Sequence, residues 1–220
     1  FGPLPVTTAV RIAVPAAPAA LAATAAALTD PVAAAIAYVR TLDAELGLTS
    51  LDDLAPLQVH VGSDQRTHVR LAQTHQGVPV WSAHIVVHAE GSQFLGLSGR
   101  LAGHLPSVGV SPTVTAAQAL ATAKARYAAG GDFGGAQPVF AREVTELVLL
   151  PGETPGARAA WHVSFFTELQ GGIAPGQWNY FIDAATGQVV QALNSLHTLS
   201  QASGPGGNAR VTRSWASALD

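Results

Sequence analysis

Hydrophobic and polar positions change period several times along this chain, and each change marks an element. Val32, Ile36, Val39, Leu42 and Leu46 recur at steps of three or four. That spacing puts them on one face of an amphipathic helix. Thr29 and Asp30 are capping residue types, Pro31 suits a first helical turn and Gly47 suits an exit. The pattern predicts one helix over 31–46. From Leu57 the period falls to two. His68 to His75 alternates as a half-buried strand does, and Gln76-Gly77 makes a turn. Val78 to His88 returns, Glu90-Gly91 turns again, and Phe94 to Leu101 reads as a further strand whose glycines permit bends. Connections this short join only antiparallel strands, so the segment is a meander.

Pro106 to Thr113 has the composition of a linker. A second helix starts at Thr115, where Gln118 three residues later completes a capping box. Ala116, Leu120, Ala123 and Tyr127 lie along it, and Gly130-Gly131 ends it. Strands are expected at 139–150, 159–168, 178–182 and 188–193. Asp183 to Gly187 forms the last hairpin loop, because Asp bonds the backbone ahead of it and Gly supplies a left-handed residue. The fold class expected is α+β, in two small units, each a helix packed on an antiparallel sheet. The boundaries expected are a Pro/Ala-rich leader at 1–28, a first unit at 29–106, a second at 111–196 and a Gly/Ser/Ala-rich tail at 197–220. The first core should contain Val69, Leu71, Val80, Ile85, Val87 and Leu97. The second should contain Leu120, Leu147, Leu149, Val163, Phe165, Phe181 and Val189.

Composition narrows the function. Among 220 residues 48% are hydrophobic and only 11% charged, against about 25% charged in an ordinary soluble domain. The body of the chain therefore has material for a core. The net charge of −3 leaves no basic surplus for a phosphate backbone, so nucleic acid is excluded as a partner. No uninterrupted apolar run reaches the ~18 residues of a membrane span, so no membrane partner is expected. Cysteine is absent, which removes disulfides, thiolate nucleophiles and Cys-ligated zinc. Methionine is absent too, and a chain opening at Phe1 is expected to be cut from a longer precursor.

Candidate chemistry is sparse. The eight histidines invite a metal site, but His84 and His88 share a strand face at a separation of ~13 Å, too far for one zinc. No His-Glu-x-x-His occurs, so the helical zinc-protease site is missing. No Gly-x-Ser-x-Gly elbow occurs either. Gly204-Pro205-Gly206-Gly207 lacks the Lys-Ser/Thr of a phosphate loop. Trp81, Trp161, Trp178 and Trp215 could stack on a ligand, or serve as core and interface residues. Gln73 is a candidate site residue, or a buried strand glutamine that satisfies backbone groups. On the residues alone the chain is an α+β binding or folding module without catalysis of its own.

The stretch His68-Val69-Arg70-Leu71-Ala72-Gln73-Thr74-His75-Gln76-Gly77-Val78-Pro79-Val80-Trp81 resembles the core of the fungalysin/thermolysin propeptide domain. The motif positions are Arg70, Gln73, Gly77, Val78, Pro79 and Val80. Val86-Val87-His88 and the Gly91 turn look like its continuation. Ser111 to Leu193 resembles a PepSY domain, through its helix, Trp161-His162-Val163, and Tyr180 to Gly187. Ala202-Ser203-Gly204-Pro205-Gly206-Gly207-Asn208 is similar to the opening of mature thermolysin-like proteases of the pseudolysin and vibriolysin type.

The resemblance implies the pro-region of a secreted zinc metalloendopeptidase, an intramolecular chaperone and temporary inhibitor whose partner is its own catalytic domain. No catalytic, metal or cofactor residue is expected in this chain. Zinc and calcium would belong to the catalytic domain, whose motifs the chain is expected to lack because it stops at Asp220. The cleavage junction is expected between Leu196 and Ala202, at His197–Thr198 or Thr198–Leu199. His197 would be a solvated linker histidine or would approach the protease zinc. The alternatives are a fragment of the complete protease precursor and a free-standing secreted inhibitor or peptide-binding module.

Overall fold

The computed structural model describes residues 30–130, 133, 138–152, 156–168 and 175–196. The whole leader and the whole tail, with His197, Thr198, Leu199 and Trp215, lie outside the described residues. The elements run α1 (Pro31–Arg40), α2 (Asp43–Leu46), β1 (Asp52–Val61), β2 (Arg66–His75), β3 (Val78–Glu90), β4 (Gln93–Arg100), α3 (Ala116–Gly130), β5 (Val139–Pro151), β6 (Ala157–Glu168), β7 (Gly176–Asp183) and β8 (Val189–Asn194). The fold is α+β and mostly sheet.

The single helix expected over 31–46 is two pieces. Asp30 caps the first, its carboxylate accepting from the N–H groups of Val32 and Ala33. At the break Thr41 bonds the Tyr38 carbonyl through its hydroxyl at 2.7 Å, and Leu42 N–H reaches back only to Val39 at 2.9 Å. These three-residue bonds tighten and end the turn. Gly47 closes the second piece at φ 66°, the left-handed exit that glycine takes at least cost.

The expected meander forms, and it gains β1 from Asp52 onward. Asp52 pairs with His75 and His60 with His68, so the first strand begins before the alternating pattern becomes visible. Strands β5 to β8 form a second antiparallel meander. The two sheets are not separate. Val80 of β3 pairs in parallel with Leu149 of β5, giving a strand path β1-β2-β3-β5-β6-β7-β8 with β4 also on β3. The expectation of two self-contained sheets is corrected accordingly. The physical reason is length. β3 has 13 residues and β4 only eight, so β4 covers β3 from His84 onward and leaves the edge around Val80 for β5.

The helices α1 and α2 bury Ala35, Tyr38, Val39 and Leu46 against Val69, Leu71, Ile85, Val87 and Leu97. Tyr38 stacks on Phe94 at 4.5 Å. Helix α3 buries Ala119, Ala123 and Tyr127 against Val163, Phe165, Tyr180 and Ile182. Three expected core residues sit elsewhere. Val80 and Leu149 are buried in the junction with Ala83, Ala102 and Leu105. Phe181 is buried on the sheet face away from α3, with Val148, Leu150 and Ala160. Leu120, Leu147 and Val189 are only half-buried.

Candidate functional site

The motif singled out in the sequence folds as a hairpin with a two-residue loop. His75 pairs with Val78, and the loop residues Gln76 and Gly77 both have positive φ, 52° and 79°. Positive φ at both positions matches the right-handed twist of the flanking strands. A Cβ at Gly77 would meet no atom within 4 Å. The demand there is on backbone conformation, not on space.

Alternation along β2 puts Gln73 and His75 on the buried face beside Val69 and Leu71, and both are fully buried. They are polar, so each needs partners. Gln73 Nε2 donates to Asp52 Oδ1 at 2.9 Å and to the Ala102 carbonyl at 2.9 Å. Its Oε1 accepts from Ala102 N–H at 2.9 Å. His75 Nδ1 lies 2.8 Å from Asp52 Oδ1, and Nε2 lies 3.1 Å from the Pro106 carbonyl. The second oxygen of Asp52 accepts from Thr49 N–H and hydroxyl at 2.8 and 2.9 Å. Burial alone would push the Asp52 carboxyl up. The bonds from Thr49, His75 and Gln73 outweigh burial and hold it below the ordinary carboxylate range. At the loop, Gln76 Oε1 accepts from Val108 N–H at 3.1 Å and Nε2 donates to Ser107 Oγ at 3.2 Å. This hairpin therefore grips the connecting segment at Ala102, Pro106, Ser107 and Val108.

The last hairpin grips the other end of the same segment. Asp183 Oδ1 accepts from Ala185 N–H, Thr186 N–H and the Thr186 hydroxyl at 2.9–3.0 Å. Burial raises its pKa, but those bonds and nearby Arg158 bring it net below the ordinary value. The loop so fixed aims the Ala184 carbonyl at Thr113 N–H and Val114 N–H, at 2.9 and 3.0 Å. Trp161 Nε1 donates to the Val114 carbonyl at 2.7 Å. One residue on, Thr115 and Gln118 form the expected reciprocal cap of α3.

Between the grips lies the sheet junction. Trp81 of β3 packs over His162 at 4.4 Å and Phe181 at 4.8 Å between ring centroids. His162 Nδ1 meets Glu146 Oε1 and Nε2 meets Asn179 Oδ1, both at 2.9 Å.

A carboxylate–histidine pair is present, but His75 Nε2 faces a carbonyl rather than a nucleophilic hydroxyl, and the ring is wholly buried. Among the described residues no group of three or more His, Asp or Glu side chains is placed to hold a metal ion. The arrangement is a clamp. It brings together Gln73, Gly77 and Val80 of the predicted residues. Val78 is half-buried, Pro79 is exposed opposite Thr74, and Arg70 is exposed on the other sheet face. His197, Thr198 and Leu199 fall outside the described residues. Sequence reasoning offered Trp81 as a core or interface residue, and it missed Asp52 and the partners of His75 and His162. Only the β1–β2 register brings Asp52 to His75, and no pattern within either strand shows it.

Residues 52–101 match the fungalysin/thermolysin propeptide motif, and residues 113–192 match the peptidase propeptide and YPEB domain, PepSY. The chain is 31% identical over 151 residues to the neutral protease of Vibrio proteolyticus, covering 67% of this chain and 24% of that protein. It is 32% identical over 136 residues to the thermolysin of Alicyclobacillus acidocaldarius, covering 59% and 23%. With the thermostable neutral protease of Geobacillus stearothermophilus it shares 30% over 172 residues, covering 76% and 29%. The chain thus spans about a quarter of the length of these curated relatives. Among solved structures, the Bacillus megaterium YpeB C-terminal domain aligns over 73% of this chain and 62% of its own, at 11% identity and a TM-score of 0.33, too weak a likeness to carry an argument.

Proposed function

We propose, from the premise that this chain carries the paired propeptide and PepSY domains of thermolysin-like neutral proteases, that it is the pro-region of a secreted zinc metalloendopeptidase. It acts as intramolecular chaperone and temporary inhibitor of that enzyme's catalytic domain and performs no catalysis itself. The observation that supports this most is the double grip on the connecting segment. A template must be rigid before its client folds, since preorganisation lowers the cost of association. Here two hairpins and one shared sheet tie the two halves to each other through the connecting segment. A protease with a large, slow-folding catalytic domain gains from such a surface.

On this reading the propeptide domain occupies 29–106, the PepSY domain 111–196, and 197–220 is the passage into the mature enzyme. Cleavage falls between Leu196 and Ala202, at His197–Thr198 ahead of Thr198–Leu199. Zinc and calcium belong to the catalytic domain. Among the described residues no helix is long and apolar enough to cross a membrane.

The test is to add the purified chain to mature neutral proteases of this type and follow residual peptidase activity. The same enzymes are then refolded from denaturant with and without the chain. Inhibition with improved refolding yield is expected. In a precursor, Gln73→Ala and Gly77→Val should reduce the yield of active protease more than the activity of enzyme already matured. Normal inhibition-free activity together with an unchanged refolding yield would overturn the reading.

A further inference from the structure

Three histidines far apart in sequence stand side by side on the exposed face of the first sheet. His60 pairs with His68 across β1 and β2, and His68 pairs with His88 across β2 and β3. Alternation keeps them off the face that buries Val69, Leu71, Ile85 and Val87. His68 Nδ1 and His88 Nδ1 are 2.8 Å apart, with the rings edge to face at 5.0 Å. The His60 ring lies nearly parallel to His68 at 6.2 Å. His88 Nε2 sits 2.8 Å from Ser98 Oγ. Donation there leaves the His88 Nδ1 lone pair free to accept from His68.

Two nitrogens at that distance hold one proton between them. A further proton on His88 Nδ1 sets two N–H groups against each other and makes the His88 ring cationic. The surroundings do not offset this. The same face carries Arg66 and Arg70 from β2, His84 and Glu90 from β3, and Arg100 from β4. Glu90 is taken by Arg66 at 3.4 Å, as is Asp64 of the preceding turn at 3.7 Å. Burial first, and then His68, depress the pKa of His88. Burial, Arg70 and Arg100 depress that of His84.

We propose that the His60–His68–His88 ladder is an acid-operated release: below neutral pH a proton on His88 Nδ1 breaks the cross-strand bond, loosens the first sheet and weakens the chain's hold on the protease. The loosening stands on the ladder alone. The release rests on the pro-region reading above. A histidine whose charged form is disfavoured in the fold adds stability above its unfolded pKa of about 6.5 and withdraws it as pH falls below that.

The whole chain is unfolded in urea from pH 8 to pH 5, as wild type, His68→Gln, His88→Gln and, to separate the contribution of the other depressed histidine on this face, His84→Gln. The wild-type midpoint should fall steeply over pH 7–5, and the drop should be at least halved in the His68 and His88 variants. Imidazole NMR on the wild type should show His88 gaining its proton below the ordinary histidine value of about 6.5. An ordinary His88 titration, or the same pH slope in all four proteins, overturns the ladder. Inhibition of a mature neutral protease is then compared at pH 7.5 and 5.5. Wild type should weaken about tenfold, within the usual range of coupling between two sites, and His68→Gln by less than about threefold. Equal inhibition at both pH values overturns the release while leaving the loosening. No inhibition at either pH, with the unfolding result as expected, overturns the pro-region reading instead.

Discussion

The two hairpins that hold the connecting segment do the same job with different chemistry. The first uses buried side chains. Asp52, Gln73 and His75 satisfy one another and reach across to the backbone of Ala102 and Pro106. The second uses main chain and surface. Asp183 fixes its own loop, and the loop's Ala184 carbonyl with the Trp161 indole takes the segment's end. A buried polar network is costly to half-satisfy, because each orphaned group keeps its full desolvation penalty. A half-exposed Asp loop that loses its carboxylate has water to fall back on. The first grip should therefore fail abruptly when one member is removed, and the second should weaken by degrees.

The largest break is expected from Asp52→Ala. It strips the hydrogen-bond partner from Nδ1 of a histidine whose side chain is 0% exposed and frees two Thr49 donors. The loss should be about 4 kcal/mol, typical of a buried pair deprived of one partner. Gln73→Ala follows at about 3 kcal/mol, since Ala102 loses partners for both its N–H and its carbonyl. Urea unfolding measures both. A loss under 1 kcal/mol for either would mean that water replaces the network and the two grips are alike. Gly77→Val should cost about 2 kcal/mol through backbone strain alone, and Gly77→Asn, a residue that tolerates the left-handed region, should recover most of it. If Asn costs as much as Val, the turn is not what limits the position.

Much of this was legible beforehand, in proportion to how local its cause is. The Gln76-Gly77 turn, the Thr115–Gln118 cap and the Asp183 loop each depend on neighbours within five residues, and the sequence shows all three. The break at Thr41 is equally local, but one hydroxyl bonding backward competes with an otherwise continuous apolar face, and periodicity does not register it. The Asp52–His75 pair depends on strand register over 23 positions. The Val80–Leu149 bridge depends on which edge a short β4 leaves open. Neither is a property of any window. The consequence reaches the site itself: Gln73 is readable as a buried strand glutamine, but not what it holds.

On the second hairpin the changes should be gentler. Trp161→Phe keeps the ring packing and removes one N–H bond to Val114, for about 1 kcal/mol. Its effect should be confined to the start of α3, where amide exchange at Ala119 and its neighbours should quicken. Exchange that quickens equally at Ala102 would show that the two grips are one cooperative unit.

The smallest effect, and the sharpest comparison, is in acid. Asp52 and Asp183 both have folded pKa values held below the unfolded carboxylate value of about 3.8. A carboxyl depressed on folding binds its proton more readily when unfolded. It therefore adds stability above the unfolded pKa, and that stability drains as pH falls through the folded one. The window lies below about pH 4, separate from the histidine window, which opens near pH 6.5. Within it the two hairpins should part. Asp52 is buried, out of reach of salt, so the acid limb it governs should persist in high salt, whereas the Arg158 contribution to Asp183 is screened over a Debye length of about 3 Å at 1 M. Asp183→Asn should flatten the limb slightly at low salt and hardly at all at high salt. Asp52→Asn should flatten it at both, and identical salt responses from the two variants would remove the distinction between a buried grip and an exposed one.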